Sequence, residues 1–270
     1  MTNSSTTAES LFGAAWTDFL HGVYAWRLWS RFAWHDLLSR YRRSWLGPLW
    51  IAMSAAVFIG ALSFLYSTLF RTNVREYVPY VAIGFVAWSF ISVVTSESVT
   101  TFVDAEAYIR QIRVNLFVYV LRVVSRNVLV FAHQFVVVLL TLIIFAAIDF
   151  RLLPLATLGI FLFLLQAVWV APLLGLAGAR FRDLQPMIAN LLQVLFFITP
   201  VIWSPDLLGS KRWIADCNPL SSLIAIVREP LLGRLPSAEN YAVVLSVTVV
   251  GFALAMLIYG RYRLRLVYWL

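Results

Sequence analysis

The chain has 270 residues, of which 61% are hydrophobic and only 13% are charged. This composition excludes an ordinary soluble domain, and the 16% aromatic content is typical of aromatic belts at two membrane interfaces. We therefore expect an all-α, polytopic membrane protein. In such a protein the net charge of +8 reports topology before it reports nucleic-acid binding. The single cysteine, Cys217, excludes an internal disulfide and a cysteine-based metal cluster.

The first 46 residues precede any apolar segment long enough to span a membrane. Residues 1–22 are polar, and we expect a mobile tail there. Residues 23–43 have helical periodicity, with Trp26, Trp29, Ala33, Leu37 and Tyr41 on one side and basic residues on another. The pattern is imperfect, because Arg40 intrudes on the apolar side. It predicts an amphipathic helix that lies along the membrane interface.

Six apolar segments follow, each near the ~20 residues that a membrane-spanning helix needs. Together they predict a single six-helix transmembrane domain over residues 47–265. The predicted spans are residues 47–70, 78–98, 128–148, 152–178, 187–204 and 241–260.

Basic residues decide the orientation of these spans. With the N-terminus in the cytoplasm, 14 of the 21 basic residues fall in inside segments and seven in outside segments. Both termini are therefore predicted to be cytoplasmic. Residues 99–127 become a cytoplasmic connection, and residues 205–239 become an outside segment. Within the latter, Pro219–Leu232 is apolar but too short to span, a length that is typical of a re-entrant or interfacial hairpin.

Several motifs that would make the chain an enzyme or a self-powered transporter are missing. The sequence contains no GxxxxGK[ST] motif for ATP and no HExxH or other metal-ligand spacing. Acidic residues are almost absent from the apolar cores, whereas ion-coupled transporters usually need ionisable groups there. His133 and Gln134 are the nearest candidates, and His133 is better explained as a hydrogen-bonding residue inside the bundle. The sequence therefore predicts a pathway that depends on a partner for energy.

Three stretches carry a resemblance to a known family. They are RYRRSWLGPLW (40–50) before the first span, ARFRDLQPMIANLLQVLFFITPVIW (179–203) at the fifth, and NPLSSLIAIVREPLLG (218–233) in the outside segment. Together they resemble the permeases of ABC type-2 exporters for O-antigen, capsule and teichoic acid polysaccharides. The resemblance covers nearly the whole chain after its first ~20 residues.

The resemblance implies a homodimeric permease in the bacterial cytoplasmic membrane, with two separate ATPase subunits and a lipid-linked polysaccharide as substrate. Of the three polysaccharides, O-antigen is the expected cargo. ATP and Mg²⁺ would be bound by the partner, so this chain would hold no cofactor and catalyse no reaction. The loop after the second span would carry the coupling helix, and the turn after the fourth would be a second ATPase contact. The candidate coupling residues are Asp104, Glu106, Tyr108, Arg110, Arg113, Arg180, Arg182 and Asp183. For the charges of the loop, an ordinary solvated helix surface is the competing explanation.

The arginines before the first span have two interpretations. Arg40, Arg42 and Arg43 would anchor any first span by charge alone. They are also candidates for binding the phosphates of a lipid-linked glycan at the cytoplasmic entrance, since an arginine fork gives paired, charge-assisted hydrogen bonds.

Polar and aromatic residues on two spans are candidates for the pore, because sugars bind through hydroxyl hydrogen bonds and aromatic stacking. Helix–helix hydrogen bonding is the competing explanation. The pore candidates are Ser63, Tyr66, Ser67, Asn190, Gln193 and Phe197. The outside hairpin is the candidate outer gate, with Asn218, Pro219, Arg228 and Glu229. For Arg228 a structural role is favoured over contact with lipid phosphate.

Two other functions remain open from the sequence. One is an ABC type-2 permease for a drug or lipid, against which the outside hairpin and the aromatic-rich path favour a glycan. The other is a membrane-embedded enzyme of glycan assembly, against which the lack of a carboxylate cluster argues.

Overall fold

The computed structural model describes residues 3–40, 42, 44–70, 72–112, 114–145 and 149–270, with the side chains of residues 3–10 and 70 outside the description. All regular secondary structure in these ranges is helical, as the composition predicted. Short 3₁₀ turns at Phe150–Leu152 and Pro205–Lys211 precede α7 and α9. The α-helices are α1 (Asn3–Tyr24), α2 (Trp26–Arg40), α3 (Leu49–Phe70), α4 (Val74–Thr100), α5 (Glu106–Gln111), α6 (Leu116–Ile144), α7 (Leu153–Arg180), α8 (Leu184–Ile198), α9 (Trp213–Asp216), α10 (Pro219–Leu231), α11 (Ala238–Tyr262) and α12 (Leu266–Trp269).

Five helices of the described chain are long and apolar enough to cross a membrane: α3, α4, α6, α11, and α7 with its preceding 3₁₀ turn. They occupy the places of the first four predicted spans and the sixth. In place of the fifth, α8 has 15 residues and is therefore ~22 Å long, against a hydrocarbon core of ~30 Å. It ends at Ile198 because Thr199 precedes Pro200, and a residue before proline is disfavoured in the helical conformation.

The third span differs from its prediction in position. α6 begins at Leu116, twelve residues before the predicted 128, so the connection after α4 is confined to residues 101–115. The side chain of Asn115 caps the helix by accepting a hydrogen bond from the backbone N–H of Phe117. The first half of α6 carries Arg122 and Arg126, which made the sequence look too polar for a span. Both arginines are paired with carboxylates inside the bundle.

From residue 3 onward the N-terminal segment is a helix and not the mobile tail that the sequence predicted for residues 1–22, the first two of which lie outside the described residues. Residues 3–24 form α1, which packs against α6 and α11. Ala15 is fully buried, Asp18 forms an ion pair with Arg263, and Asn115 donates to the Asp18 carbonyl over 2.9 Å. The partners of these residues are far away in the sequence. The polar local pattern therefore gave no sign that the segment packs against the bundle. A break at Ala25 separates α1 from α2.

α4 is the central helix of the bundle and packs against α3, α6, α7, α8 and α10. In its middle, Phe90 meets Phe131 of α6 and Phe163 of α7 at ring-centroid distances of 5.4 and 5.2 Å. In contrast, α3 and α8 leave wide apolar faces uncovered within a single chain. This arrangement is typical of helices that meet lipid or another subunit in the membrane.

Candidate functional site

A network of ionic hydrogen bonds joins α2, α4 and α6 near one end of the bundle. Arg122 holds Asp36 with two hydrogen bonds of 2.6 and 2.7 Å, which is the bidentate geometry of a strong pair. Arg126 bridges Asp36 and Glu97 at 3.2 and 2.7 Å. Asp36 lies beside Ala33 and Leu37, the residues of α2 that are buried in the bundle. The network therefore fixes the predicted amphipathic helix onto the spans behind it.

Arg40 belongs to this network, because its guanidinium donates to Glu97 over 2.9 Å while about half of its side chain stays exposed. Arg42 is exposed, and Arg43 lies outside the described residues. The candidate entrance arginines thus have different surroundings. Arg40 is engaged with Glu97 of α4, whereas Arg42 is exposed.

The predicted coupling segment consists of an exposed helix, α5, and a preceding turn with buried residues, here called the buried root (Phe102 and Ala105). Phe102 and Ala105 are buried and anchor it, and Asp104 accepts a hydrogen bond from Thr100 over 2.8 Å. α5 itself has no buried residue. Its Glu106 and Arg110 form an i,i+4 pair of 2.9 Å, and Tyr108 is half-exposed. Arg113, also predicted for this site, lies outside the described residues.

The turn after α7 lies at the same end of the bundle as α5, because Gly178 of α7 packs directly on the backbone of Val99 near the end of α4. Arg182 and Asp183 are exposed there. The guanidinium of Arg180 lies 5.7 Å from the ring of Trp269, which belongs to the C-terminal helix α12. The structure thus brings the two predicted coupling elements to one face.

The predicted outer gate is held against α4 and the end of α8. Asn218 caps α10 and donates to the hydroxyl of Thr199 over 2.9 Å. Arg228 is only 5% exposed and donates to the carbonyls of Pro200 and Val201 over 2.8 and 2.9 Å. These carbonyls have left the helical pattern of α8, so Arg228 satisfies acceptors that would otherwise be buried without a partner.

Two further features fix Arg228 in place. Its guanidinium lies 3.9 Å from the centroid of the Tyr80 ring. Gly84 makes room for it, since a Cβ at that position would lie 2.1 Å from the Arg228 Nη2 atom. Pro219 is exposed at the start of α10 and Glu229 is partly buried. Burial raises the pKa of the Glu229 carboxyl above its ordinary value, while Arg228 and Arg234 act in the opposite direction.

The pore candidates do not form one surface. Asn190, Gln193 and Phe197 are exposed along one face of α8, as their spacing predicted. Ser63 and Ser67 are 2% and 5% exposed, because they continue the buried stripe that Ile51, Ala55 and Ile59 begin along α3. Tyr66 is partly buried. Within one chain, these two serines are therefore packing residues and do not line a surface.

The sequence analysis did not predict the groove between α8 and α4. Gln193 and Phe196 line it together with Trp88, Ser92 and Ser96. The spacing of the two serines at i and i+4 puts them on one side of α4, which was the available signal. The groove combines hydroxyl, amide and aromatic groups in the exposed face of the bundle.

The fold and these surfaces define a multi-pass membrane protein with a network of ionic hydrogen bonds near one end of the bundle. The chain belongs to the ABC-2 type transporter family, whose model matches residues 27–232. It is therefore a permease subunit of an ABC transporter, a class that works with an ATP-binding partner, and it resides in the bacterial inner membrane.

Three similar proteins align with most of this chain. An O-antigen export system permease protein RfbA of Klebsiella pneumoniae is 23% identical over 228 residues, covering 81% of this chain and 87% of the relative. The RfbA permease of Myxococcus xanthus is 25% identical over 225 residues, covering 80% and 84%. A second Klebsiella pneumoniae RfbA permease is 23% identical over 226 residues, covering 82% and 85%.

Proposed function

We propose that this chain is the permease of an ATP-driven exporter that carries lipid-linked O-antigen across the cytoplasmic membrane. The observation that carries the proposal is the similarity to O-antigen export permeases, which covers at least four-fifths of this chain and of each relative. The combination of an exposed charged end for an ATPase with aromatic and polar groups along α4 and α8 suits a passage for a hydroxyl-rich polymer.

We infer six membrane crossings, with α8 as the fifth. α8 would cross with the help of the turn at residues 199–204, and α9 with α10 would form a re-entrant hairpin. α2 would lie at the cytoplasmic interface, because Trp26 and Trp34 are exposed on it beside Arg27 and Arg31. Both termini would be cytoplasmic, in keeping with the excess of basic residues on that side.

Coupling to the ATPase would use α5 and the turn at Arg180–Asp183. The buried root at Phe102 and Ala105 links α5 to the bundle, so a rigid push on α5 would reach α4 and α7. The functional unit would contain two copies of this chain and two ATPase subunits, and the ATPase subunits would bind ATP and Mg²⁺. The uncovered faces of α3 and α8 offer surfaces for a second copy.

Substrate would enter from the cytoplasmic leaflet beside the basic end of α2. Arg40, Arg42 and Arg43 would bind the phosphates of the lipid carrier. The glycan would then pass along the α8 face that carries Asn190, Gln193 and Phe197. The α9–α10 hairpin would close the outer end of the passage until the glycan passes.

The proposal is tested by deleting the gene and examining surface lipopolysaccharide. Loss of surface O-antigen with accumulation of the lipid-linked polymer inside the cell is expected, and the gene on a plasmid should restore export. Unchanged surface O-antigen in the deletion strain would refute the proposal.

A further inference from the structure

A cavity of about 220 Å³, lined by charged, hydroxyl and aromatic side chains, lies at the end of the bundle opposite to α5, where α4 begins and the chain leaves α8. Its walls come from the first turns of α4, from the 3₁₀ turn after α8, and from the segment after α10. The volume is below the ~300–1,000 Å³ of pockets for drug-sized ligands. It therefore suits a smaller ligand, of the size of one sugar ring.

Charged groups of both signs line this cavity. Glu76 and Asp206 contribute carboxylates, and Arg234 contributes a guanidinium. Asp206 is paired with Arg212 at 2.7 Å. In the described part of the chain, neither Glu76 nor Arg234 takes part in a salt bridge. Their hydrogen-bonding groups are thus available to a ligand, with acceptors and donors on different walls.

Two tyrosines form the inner wall, and both are fixed before any ligand arrives. Tyr77 donates to the carbonyl of Ile202 over 2.6 Å, and Tyr80 donates to the carbonyl of Trp203 over 2.8 Å. Their rings are nearly parallel, with an interplanar angle of 17°. Fixed aromatic rings supply contact area at little entropic cost, which favours a weak but specific ligand.

We propose that this cavity binds one sugar unit of the exported glycan as it leaves the membrane. Vicinal hydroxyls would donate to Glu76 and accept from Arg234, and the apolar face of the ring would lie against the tyrosines. A phosphate would be repelled by the two carboxylates here. An apolar chain would desolvate all three charges, which is unfavourable. A neutral, hydroxyl-rich ring therefore fits best. This inference rests on the proposed function.

The test is titration calorimetry on the full chain in nanodiscs. The probe is the O-antigen polysaccharide released by mild acid from the lipopolysaccharide of the source bacterium. Glu76→Ala and Arg234→Ala are expected to weaken binding about tenfold or more, because each removes a charged hydrogen-bonding group. Glu239→Ala and Arg151→Ala are the matched controls, since both residues are exposed at the same end but do not line the cavity. The controls should bind like the wild type.

Each other outcome overturns the inference in a distinguishable way. Equal binding by all five proteins would place the sugar elsewhere. No binding by the wild type, in a strain that needs this gene to display O-antigen, would reject the cavity as a sugar site while the proposed function stands. If the deletion strain still displays O-antigen, the proposed function fails and this inference fails with it.

Discussion

The carboxylate of Glu97 on α4 accepts a hydrogen bond of 2.7 Å from the guanidinium of Arg126 on α6, with the two side chains only 21% and 16% exposed. The same carboxylate accepts hydrogen bonds from Arg40 of α2 and from Asn127 of α6. One acidic group thus joins three helices directly before the segment that leads to α5. Removal of one partner of a buried pair leaves the other charge desolvated, so this junction should be sensitive to substitution.

The first prediction concerns that junction. Glu97→Gln should lower the free energy of unfolding by about 1–3 kcal/mol, which is less than the ~3–5 kcal/mol of a fully buried pair because Asp36 still holds Arg126. Thermal unfolding in detergent measures the change. Glu106→Gln is the control, since its pair with Arg110 is an exposed i,i+4 pair and contributes only ~0.3–0.5 kcal/mol. Equal losses for the two variants would argue against a buried junction.

The second prediction concerns the hairpin. Arg228→Met keeps much of the side-chain volume but removes both hydrogen bonds to residues 200 and 201. We expect faster hydrogen exchange over residues 199–203 and at the start of α10, because the hairpin loses its hold on the end of α8. Exchange mass spectrometry measures this, with Arg151→Met as an exposed control. Protection that matches the wild type would show that Arg228 does not hold the hairpin.

The third prediction concerns the contact between α4 and α7. A Cβ at Gly178 would lie 2.0 Å from the carbonyl oxygen of Val99, so Gly178→Ala must push the two helices apart. Overpacking of this kind costs about 1–3 kcal/mol. Gly60→Ala is the matched control, because no atom lies within 4 Å of its Cβ position. The melting temperature should fall for Gly178→Ala and remain that of the wild type for Gly60→Ala. A fall for both variants would point to a general effect of alanine in these helices.

The fourth prediction concerns coupling. The double variant Asp104→Arg with Arg110→Glu reverses two exposed charges near and on α5 while leaving the buried Phe102 and Ala105 unchanged. We expect the complex to assemble and hydrolyse ATP, but with export strongly reduced. Surface O-antigen and ATPase activity are measured together. Asp216→Arg, at an exposed site outside the coupling face, should export normally. Normal export by the double variant would refute the role of these charges.

The fifth prediction concerns the entrance. Arg42→Lys keeps the positive charge that orients the first span but loses the paired hydrogen bonds of the guanidinium. Topology measured by cysteine labelling should be unchanged, and export should fall, because lysine cannot reproduce the paired hydrogen bonds of arginine to lipid phosphate. Arg27→Lys, on the exposed side of α2, serves as the control. Normal export by Arg42→Lys would leave charge anchoring as the whole role of this residue.

Much of the fold could be predicted from sequence because long apolar segments have few structural alternatives in a membrane. This logic located α3, α4, α7 and α11 to within a few residues. It failed for α1, because the contact of Asp18 with Arg263 joins opposite ends of the chain. It also misplaced the start of α6, since a helix with two arginines looks too polar until their partners are known.

The site was predictable to a different degree in each part. Spacing alone placed Asn190, Gln193 and Phe197 on one exposed face, because helical periodicity fixes which residues share a side. The burial of Ser63 and Ser67 depended on which side of α3 meets the bundle, and both sides are similarly apolar. The pairing of Arg40 with Glu97 joins positions 57 residues apart, so no local pattern reveals it.

The most direct test of the account is a pull-down of the tagged chain in mild detergent, followed by mass spectrometry of the copurified proteins. We expect a stoichiometric partner with the GxxxxGK[ST] motif and ATPase activity, because this chain has no such motif of its own. Reproducible absence of such a partner from intact, folded protein would contradict the claim that the chain is the permease of an ATP-driven exporter.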